Sequence, residues 1–384
     1  MSYPSYRPPF LLKNGLAMTL YTNLWCRWKW ENTIAIPEPP YQDTVFVGAN
    51  NVPIFAWVAI HNCPKGTIIG TYGITGNLDN QWFLQLLGRK AFNRGYSVVL
   101  FDTRAHGKTA QLSTALSSNG LYEGEDFVRI AGQVKAMGSP APFWLTGFSL
   151  GGQLALWGIQ AAADPTLLEE LALQSTDIAG AATLCPNLNS ERTLSWMEQT
   201  FWGKMIEQSM VRKLQEEVWY IYHTHPGSLD ADAIKRTQTI RDFDREFIIA
   251  PLGFSSVDAY YRTTSPLLLL PHLTKPILIL YAADDPIFDP MLVSDLEAVC
   301  ASNPHLELIL THYGGHVSYM SSKACQLEAG DPDRWWAWNR VLDWFDRQTR
   351  KIDSGLPESL IRTPYRQDDS AAQNVSHPTR LESG

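Results

Sequence analysis

Apolar and polar positions divide this chain into stretches of different rhythm. Between residues 41 and 186, short apolar runs alternate with longer amphipathic ones. Residues 44–47 and 54–60 read as the arms of a β-hairpin, with Asn50 and Asn51 near its turn. Residues 67–71 read as a strand, 80–94 as a helix, 97–102 as a strand and 123–137 as a helix. A short apolar run at 142–145 leads into a helical run at 153–163, and 178–184 is again strand-like. This alternation predicts βαβ units, hence a mostly parallel central sheet with helices on both faces. The rhythm breaks between 187 and 271. That stretch is helical in pattern and rich in Trp, Met and charge, including Trp196, Trp202, Met205, Met210 and Trp219. Strand-like runs return at 277–281 and 306–310, and residues 335–347 form a closing amphipathic pattern.

The predicted organisation has five parts. Residues 1–40, rich in Pro and aromatics, read as an irregular N-terminal arm. Residues 41–186 and 272–351 form the two parts of one α/β core, interrupted by a helical cap at 187–271. Residues 352–384 are polar and read as a disordered tail. An insertion at 187–271 would sit above the strand ends and shape a pocket there. A lateral subdomain remote from that edge is the competing reading. No internal repeat is visible.

The strand-to-helix junction at 145–153 holds Gly147-Phe148-Ser149-Leu150-Gly151, a Gly-x-Ser-x-Gly in the context of a nucleophile elbow. A serine hydroxyl becomes a useful nucleophile when a tight turn holds it out of its own helix, and small neighbours permit that turn. The competing role for Ser149 is a helix N-cap. An acid and a histidine should follow in that order. Asp285, with Asp284 as its local rival, follows the 277–281 strand. His316, with His312 as its rival, follows the 306–310 strand and is preceded by Gly314-Gly315. Ser149 would attack an acyl carbonyl, His316 would move its proton and Asp285 would orient the imidazole. Negative charge on the carbonyl oxygen calls for backbone donors. The amides of Leu150 and of Ile74, in the loop 72–76, are the expected pair.

Other chemistries read poorly. Net charge is −8 with no basic run, which argues against nucleic acid as a partner. Gly70, Gly73 and Gly76 lie between a strand and a helix, and Asp102 ends the next strand, but GxxGxxG is not the dinucleotide spacing. His223 and His225 lack companion ligands, so neither a metal nor an organic cofactor is expected. Arg104 reads as a structural ion pair, with steadying of the loop 72–76 as its second reading. The five cysteines are scattered, which suits a reduced, cytoplasmic compartment. No apolar stretch approaches the ~20 residues of a membrane span. Residues 16–30 interleave Leu20, Leu24, Trp25, Trp28 and Trp30 with Arg27 and Lys29. An arm packed on the body accounts for this pattern, and peripheral contact with a membrane is the second reading.

Further motifs carry a family likeness. They are Pro8-Pro9-Phe10-Leu11-Leu12-Lys13-Asn14-Gly15, the elbow with Gly152, Asp242-Phe243-Asp244, Ala250-Pro251-Leu252-Gly253-Phe254 and Tyr260-Tyr261. Ala282-Ala283-Asp284-Asp285-Pro286 and Gly314-Gly315-His316-Val317 complete the set. From about residue 7 to 344 the chain resembles the YheT-like α/β-hydrolases, a group that includes plant embryogenesis-associated proteins. The resemblance implies an α/β-hydrolase fold, the triad Ser149, Asp285 and His316, and hydrolysis of small-molecule carboxylic esters, of acylglycerol or medium-chain type. Two positions depart from the family pattern. Tyr72 stands where a histidine is usual before Gly73, and Leu16 stands where a histidine is usual after Asn14-Gly15. Transfer of the acyl group to an alcohol is the chemically adjacent alternative. A non-catalytic binding protein on the same fold is the alternative of a different class.

Overall fold

Unbroken runs of Val, Ile, Leu and Phe become strands buried on both faces. The computed structural model describes residues 3–354 and 365–366, and in these nine strands form one sheet. They are β1 (Gln42–Val47), β2 (Pro53–Ala59), β3 (Thr67–Thr71), β4 (Ser97–Phe101), β5 (Phe143–Phe148), β6 (Ile178–Leu184), β7 (Ile277–Ala282), β8 (Leu306–Thr311) and β9 (Tyr365–Arg366). Their order is β1-β2-β4-β3-β5-β6-β7-β8-β9. β1 pairs antiparallel with β2, and β2 with β4, while every pair from β4 onward is parallel. Every residue of β3, β4, β5 and β7 is buried, as a parallel sheet covered on both faces requires. This is the mostly parallel sheet expected from the alternation of elements, in the α/β-hydrolase arrangement that the family resemblance implies.

Helices Trp82–Asn93, Glu123–Ala136, Leu150–Ala161 and Trp336–Ser354 cover the sheet. The last of these buries Trp336, Trp338, Trp344 and Phe345, and Trp338 meets Phe148 edge-on at 5.9 Å. It runs on through Ser354, so residues 352–354 are helical rather than part of a tail. Tyr365–Arg366 pairs with β8, while residues 355–364 and 367–384, the rest of the expected disordered tail, lie outside the described residues.

The N-terminal arm also differs from its expectation as irregular chain. Gly15–Leu24 is an α-helix, with the Asn14 side chain capping the Ala17 amide at 3.0 Å. Residues 187–271 hold helices Ser190–Gln199, Phe201–Thr224, Ala231–Arg236, Ile240–Phe243 and Val257–Thr264, together with a π-helical turn, Asp244–Ile248. The segments after β3, β5, β7 and β8 all leave the carboxyl edge of the parallel sheet, where ligands of such folds bind.

Candidate active site

β5 ends at Phe148, and Leu150 starts the next helix, so Ser149 is the whole turn. Its backbone has φ 55° and ψ −125°, a conformation that a non-glycine residue holds only under strain. The neighbours show why glycine is required. A Cβ on Gly147 would strike the Gly151 carbonyl, and one on Gly151 would strike the carbonyls of Thr71 and Tyr72. The turn is pinned on both sides. The Ser149 amide donates to the Leu184 carbonyl at 3.0 Å, and its carbonyl accepts from Gly152, Gln153 and Asn187 at 3.1 to 3.2 Å. Gly73 approaches so closely that a Cβ there would lie 3.3 Å from the Ser149 Cβ and 3.6 Å from its Oγ.

Asp285 and His316 are brought together. Asp285 Oδ2 lies 2.8 Å from His316 Nδ1, and both side chains are buried. A carboxylate only accepts, so Nδ1 carries the hydrogen and Nε2 is left to take up a proton. Asp285 is itself held, because its Oδ1 accepts the Ile287 amide at 2.9 Å. The adjacent acid has a different partner: Asp284 Oδ1 accepts the Gly315 amide at 2.8 Å, and burial pushes its carboxyl up to about 6. His312 packs edge-on against Tyr313 instead. Phe288 meets the His316 ring edge-on at 5.1 Å and shares a cavity lining with Ser149. Among the described residues, no hydrogen bond joins the Ser149 hydroxyl to the imidazole.

The histidine loop leans on the N-terminal helix, a support absent from the sequence reading. The His316 amide donates to Thr19 Oγ1 at 2.8 Å, Thr19 Oγ1 donates to the Gly15 carbonyl at 2.7 Å, and Thr22 Oγ1 lies 2.6 Å from Ser318 Oγ. Gly315, at φ 57°, lies so close that a Cβ would sit 2.5 Å from the Gly15 carbonyl oxygen. A Cβ on Gly15 would in turn strike the Asp284 carbonyl. The outer face of the same arm exposes Leu24, Trp25 and Trp28, with Lys29 over the Trp25 ring and Arg27 over the Trp28 ring.

The loop after β3 carries Ile74, whose amide is one of the two donors expected from sequence. Among the described residues, the amides of Leu150 and Ile74 have no acceptor, and both residues line the cavity with Ser149. Tyr72 is fully buried, and its hydroxyl donates to Asp102 Oδ1 at 2.6 Å. Asp102 also accepts the amides of Leu78 and Lys108, both at 2.9 Å, so it is committed to this loop and its neighbour. Two further residues went unread. His106 Nε2 reaches the Ile74 carbonyl at 2.7 Å and Glu217 Oε2 at 3.2 Å, while its Nδ1 faces the Arg104 carbonyl at 2.7 Å. Glu217 Oε1 accepts the Gly76 amide at 2.9 Å. Burial pulls the His106 pKa down, but Glu217, the two carbonyls and Asp102 outweigh it and hold the imidazole above its usual value. Burial raises the Glu217 carboxyl, with His106 pulling the other way. Arg104 pairs through two nitrogens with Asp126 at 2.8 Å each, the structural role read for it. His225 binds the Ala110 carbonyl, and His223 stacks on Trp219.

Ser149 opens onto a cavity. Ile74, His106, Leu150 and Phe288 line it from the core, while Met197, Met210, Leu214, Phe243 and Ile248 line it from residues 187–271. Among the described residues, no group of three or more His, Cys, Asp or Glu side chains could hold a metal ion, and no helix is long and apolar enough to cross a membrane.

Comparison with known proteins gives a consistent outcome. Residues 76–329 match the model described as the alpha/beta hydrolase family. The chain is 45% identical over 354 residues to the Synechocystis protein named "Putative esterase slr0264", covering 91% of this chain and 96% of that one. It is 27% identical over 359 residues to phospholipase ABHD3 of Mus musculus, covering 88% and 79%. Among solved structures, the esterase Pf2001 of Pyrococcus furiosus superposes with a TM-score of 0.52 at 17% identity, over 91% of this chain and 99% of that one, a likeness of fold.

Proposed function

Because the chain belongs to the YheT-like α/β-hydrolase family and is a carboxylic ester hydrolase, we propose that Ser149 is its nucleophile, His316 its base and Asp285 the acid that orients the base. Ser149 Oγ attacks the ester carbonyl as His316 Nε2 takes the hydroxyl proton. The imidazolium so formed is stabilised by Asp285 and returns the proton to the departing alcohol. Water then repeats the sequence on the acyl-enzyme, releasing the acid and restoring the serine. The amides of Leu150 and Ile74 donate to the carbonyl oxygen as it gains charge.

One observation carries this reading: a serine held at φ 55° in a turn that glycine neighbours alone permit, opening onto a cavity whose Phe288 meets the imidazole of an oriented Asp–His pair. A strained backbone at a cavity wall is expected where geometry serves chemistry. Contact between nucleophile and base tightens when substrate loads, so an unbonded Ser149 hydroxyl is compatible with the scheme. The apolar lining supports an acyl chain as the buried portion of the substrate, in keeping with acylglycerols or medium-chain esters, and supports residues 187–271 as the cap over it. A fluorophosphonate probe tests the proposal. The wild type should be labelled covalently and Ser149→Ala should not. An unlabelled wild type would favour a binding protein on this fold.

A further inference from the structure

The cavity wall is not apolar throughout. Residues 187–271 also contribute Asp244, Tyr260 and Tyr261 to its lining. Asp244 is 6% exposed and Tyr260 1%. Tyr261 donates its hydroxyl to Asp244 Oδ2 at 2.5 Å. Among the described residues, nothing pairs with Asp244 Oδ1 or with the Tyr260 hydroxyl. Asp244 opens the π-helical turn that follows Ile240–Phe243, a backbone form rare in proteins and frequent at functional sites. Burial pushes the Asp244 carboxyl up to about 7, against the opposing pull of the Tyr261 hydroxyl and Arg241. Arg241 directs its own donors to Glu191 and Glu198 and lies over the Tyr261 ring, 5.7 Å from its centre.

Both atoms keep access to the cavity, so solvent meets them until a ligand hydroxyl takes over those hydrogen bonds. Arg241 is already neutralised by Glu191 and Glu198, and burial keeps the Asp244 carboxyl only partly charged near neutral pH, so a neutral donor fits better than an ammonium group. We infer that Asp244 and Tyr260 form a polar subsite that receives a hydroxyl group of the ester substrate, an inference that rests on the esterase reading of this cavity. Such a hydroxyl can come from a hydroxylated acyl chain or from a polyol on the alcohol side. The carboxyl accepts from it, and the Tyr260 hydroxyl donates to its oxygen.

Two pairs of esters separate these sources. In one, p-nitrophenyl esters of equal chain length end in a hydroxyl or in a methyl group. In the other, the same acid is esterified to glycerol or to propanol. The wild type should favour the hydroxylated member of one pair by about ten- to hundredfold in kcat/KM. Asp244→Leu and Tyr260→Phe should each draw that ratio toward one. Because the ratio is taken within one sample, it does not depend on how much of a variant folds. Indifference of the wild type to both hydroxyls, an unchanged ratio in both variants, or a preference for an ammonium-bearing ester would each overturn the subsite. Fluorophosphonate labelling of the same wild-type sample keeps the two ideas apart. A labelled but indifferent enzyme sinks the subsite alone, and an unlabelled one sinks the esterase reading.

Discussion

The loop after β3 and the loop after β8 leave the same edge of the sheet, yet different forces hold them. The first is fixed by titratable groups, all but the half-buried Glu217 fully buried: Tyr72 on Asp102, His106 on the Ile74 carbonyl and Glu217 on the Gly76 amide. Glu217 belongs to helix Phe201–Thr224, so this support reaches across from residues 187–271. The second is fixed by close approach of small residues, Gly15 to Gly315, and by the hydroxyls of Thr19 and Thr22. Asp284 is the charged group on its backbone, through the Gly315 amide. The geometry of the first loop therefore depends on where protons sit, and that of the second on steric fit against the N-terminal helix.

The sharpest test lies at the second loop, where two neighbouring acids have different partners. Asp285→Asn should lower kcat about 10⁴-fold, because an amide donor at Nδ1 selects the wrong tautomer. Asp284→Asn keeps an acceptor for the Gly315 amide and should stay within about tenfold of wild type. Turnover of a p-nitrophenyl ester measures both, and equal losses would break the division of roles. Next in size is Gly15→Ala. Its new methyl group meets the Asp284 carbonyl, so the helix or the histidine loop must shift. A displacement near 1 Å should cost about a hundredfold in kcat, with a lowered Tm as its structural signature.

Legibility in the sequence followed the same physical divide. β3, β4, β5 and β7 are continuous apolar runs because both of their faces are covered, so composition alone marks them. The helix Gly15–Leu24 lacks the usual sign because its buried face is Gly15, Met18, Thr19 and Thr22, with one large apolar side chain rather than an apolar stripe. Helix Phe201–Thr224 exposes Phe201, Trp202 and Met205, which blurs its period. Ser149 could be picked out because its constraint is local, written in glycines two positions away on either side. Sequence favours Asp285 over its neighbour Asp284, but the partner of each lies in the distant loop after β8. Thr19, His106, Glu217 and Asp244 act through contacts with distant segments, and no short motif encodes such a contact. Tyr72, a departure from the family pattern, is bonded to Asp102, which also accepts the Leu78 amide of the same loop.

Charge support at the first loop predicts a pH signature. Glu217→Gln removes the negative partner of His106 and loosens the segment carrying the Ile74 amide, so kcat should fall about tenfold. Stability should respond with a definite sign. The folded-state value of His106 is raised, so its contribution is fully present below the unfolded value of about 6.5 and is lost as pH rises through the folded value. Asp102 also faces this imidazole and acts in the same direction. Unfolding titrations should therefore show wild type ahead of Glu217→Gln by about 1–3 kcal/mol at pH 6, with the gap narrowing toward alkaline pH. A constant gap would mean that the pair is held by packing, and the contrast between the loops would disappear.

The smallest effect should come from the neutral support. Thr19→Val keeps the shape of the side chain but leaves the buried His316 amide without its acceptor, at a cost of about 1–3 kcal/mol. Thr19→Ser restores the hydroxyl and should recover most of that loss, which separates the hydrogen bond from the packing of the methyl group. The penalty should be the same at every pH above 7, where the neighbouring Asp284 carboxyl, pushed up to about 6, is ionised throughout. Urea titrations of the two variants across that range measure it directly. A penalty that changed with pH there would mean that the histidine loop, too, answers to a buried charge, and that steric fit against Gly15 does not hold it alone.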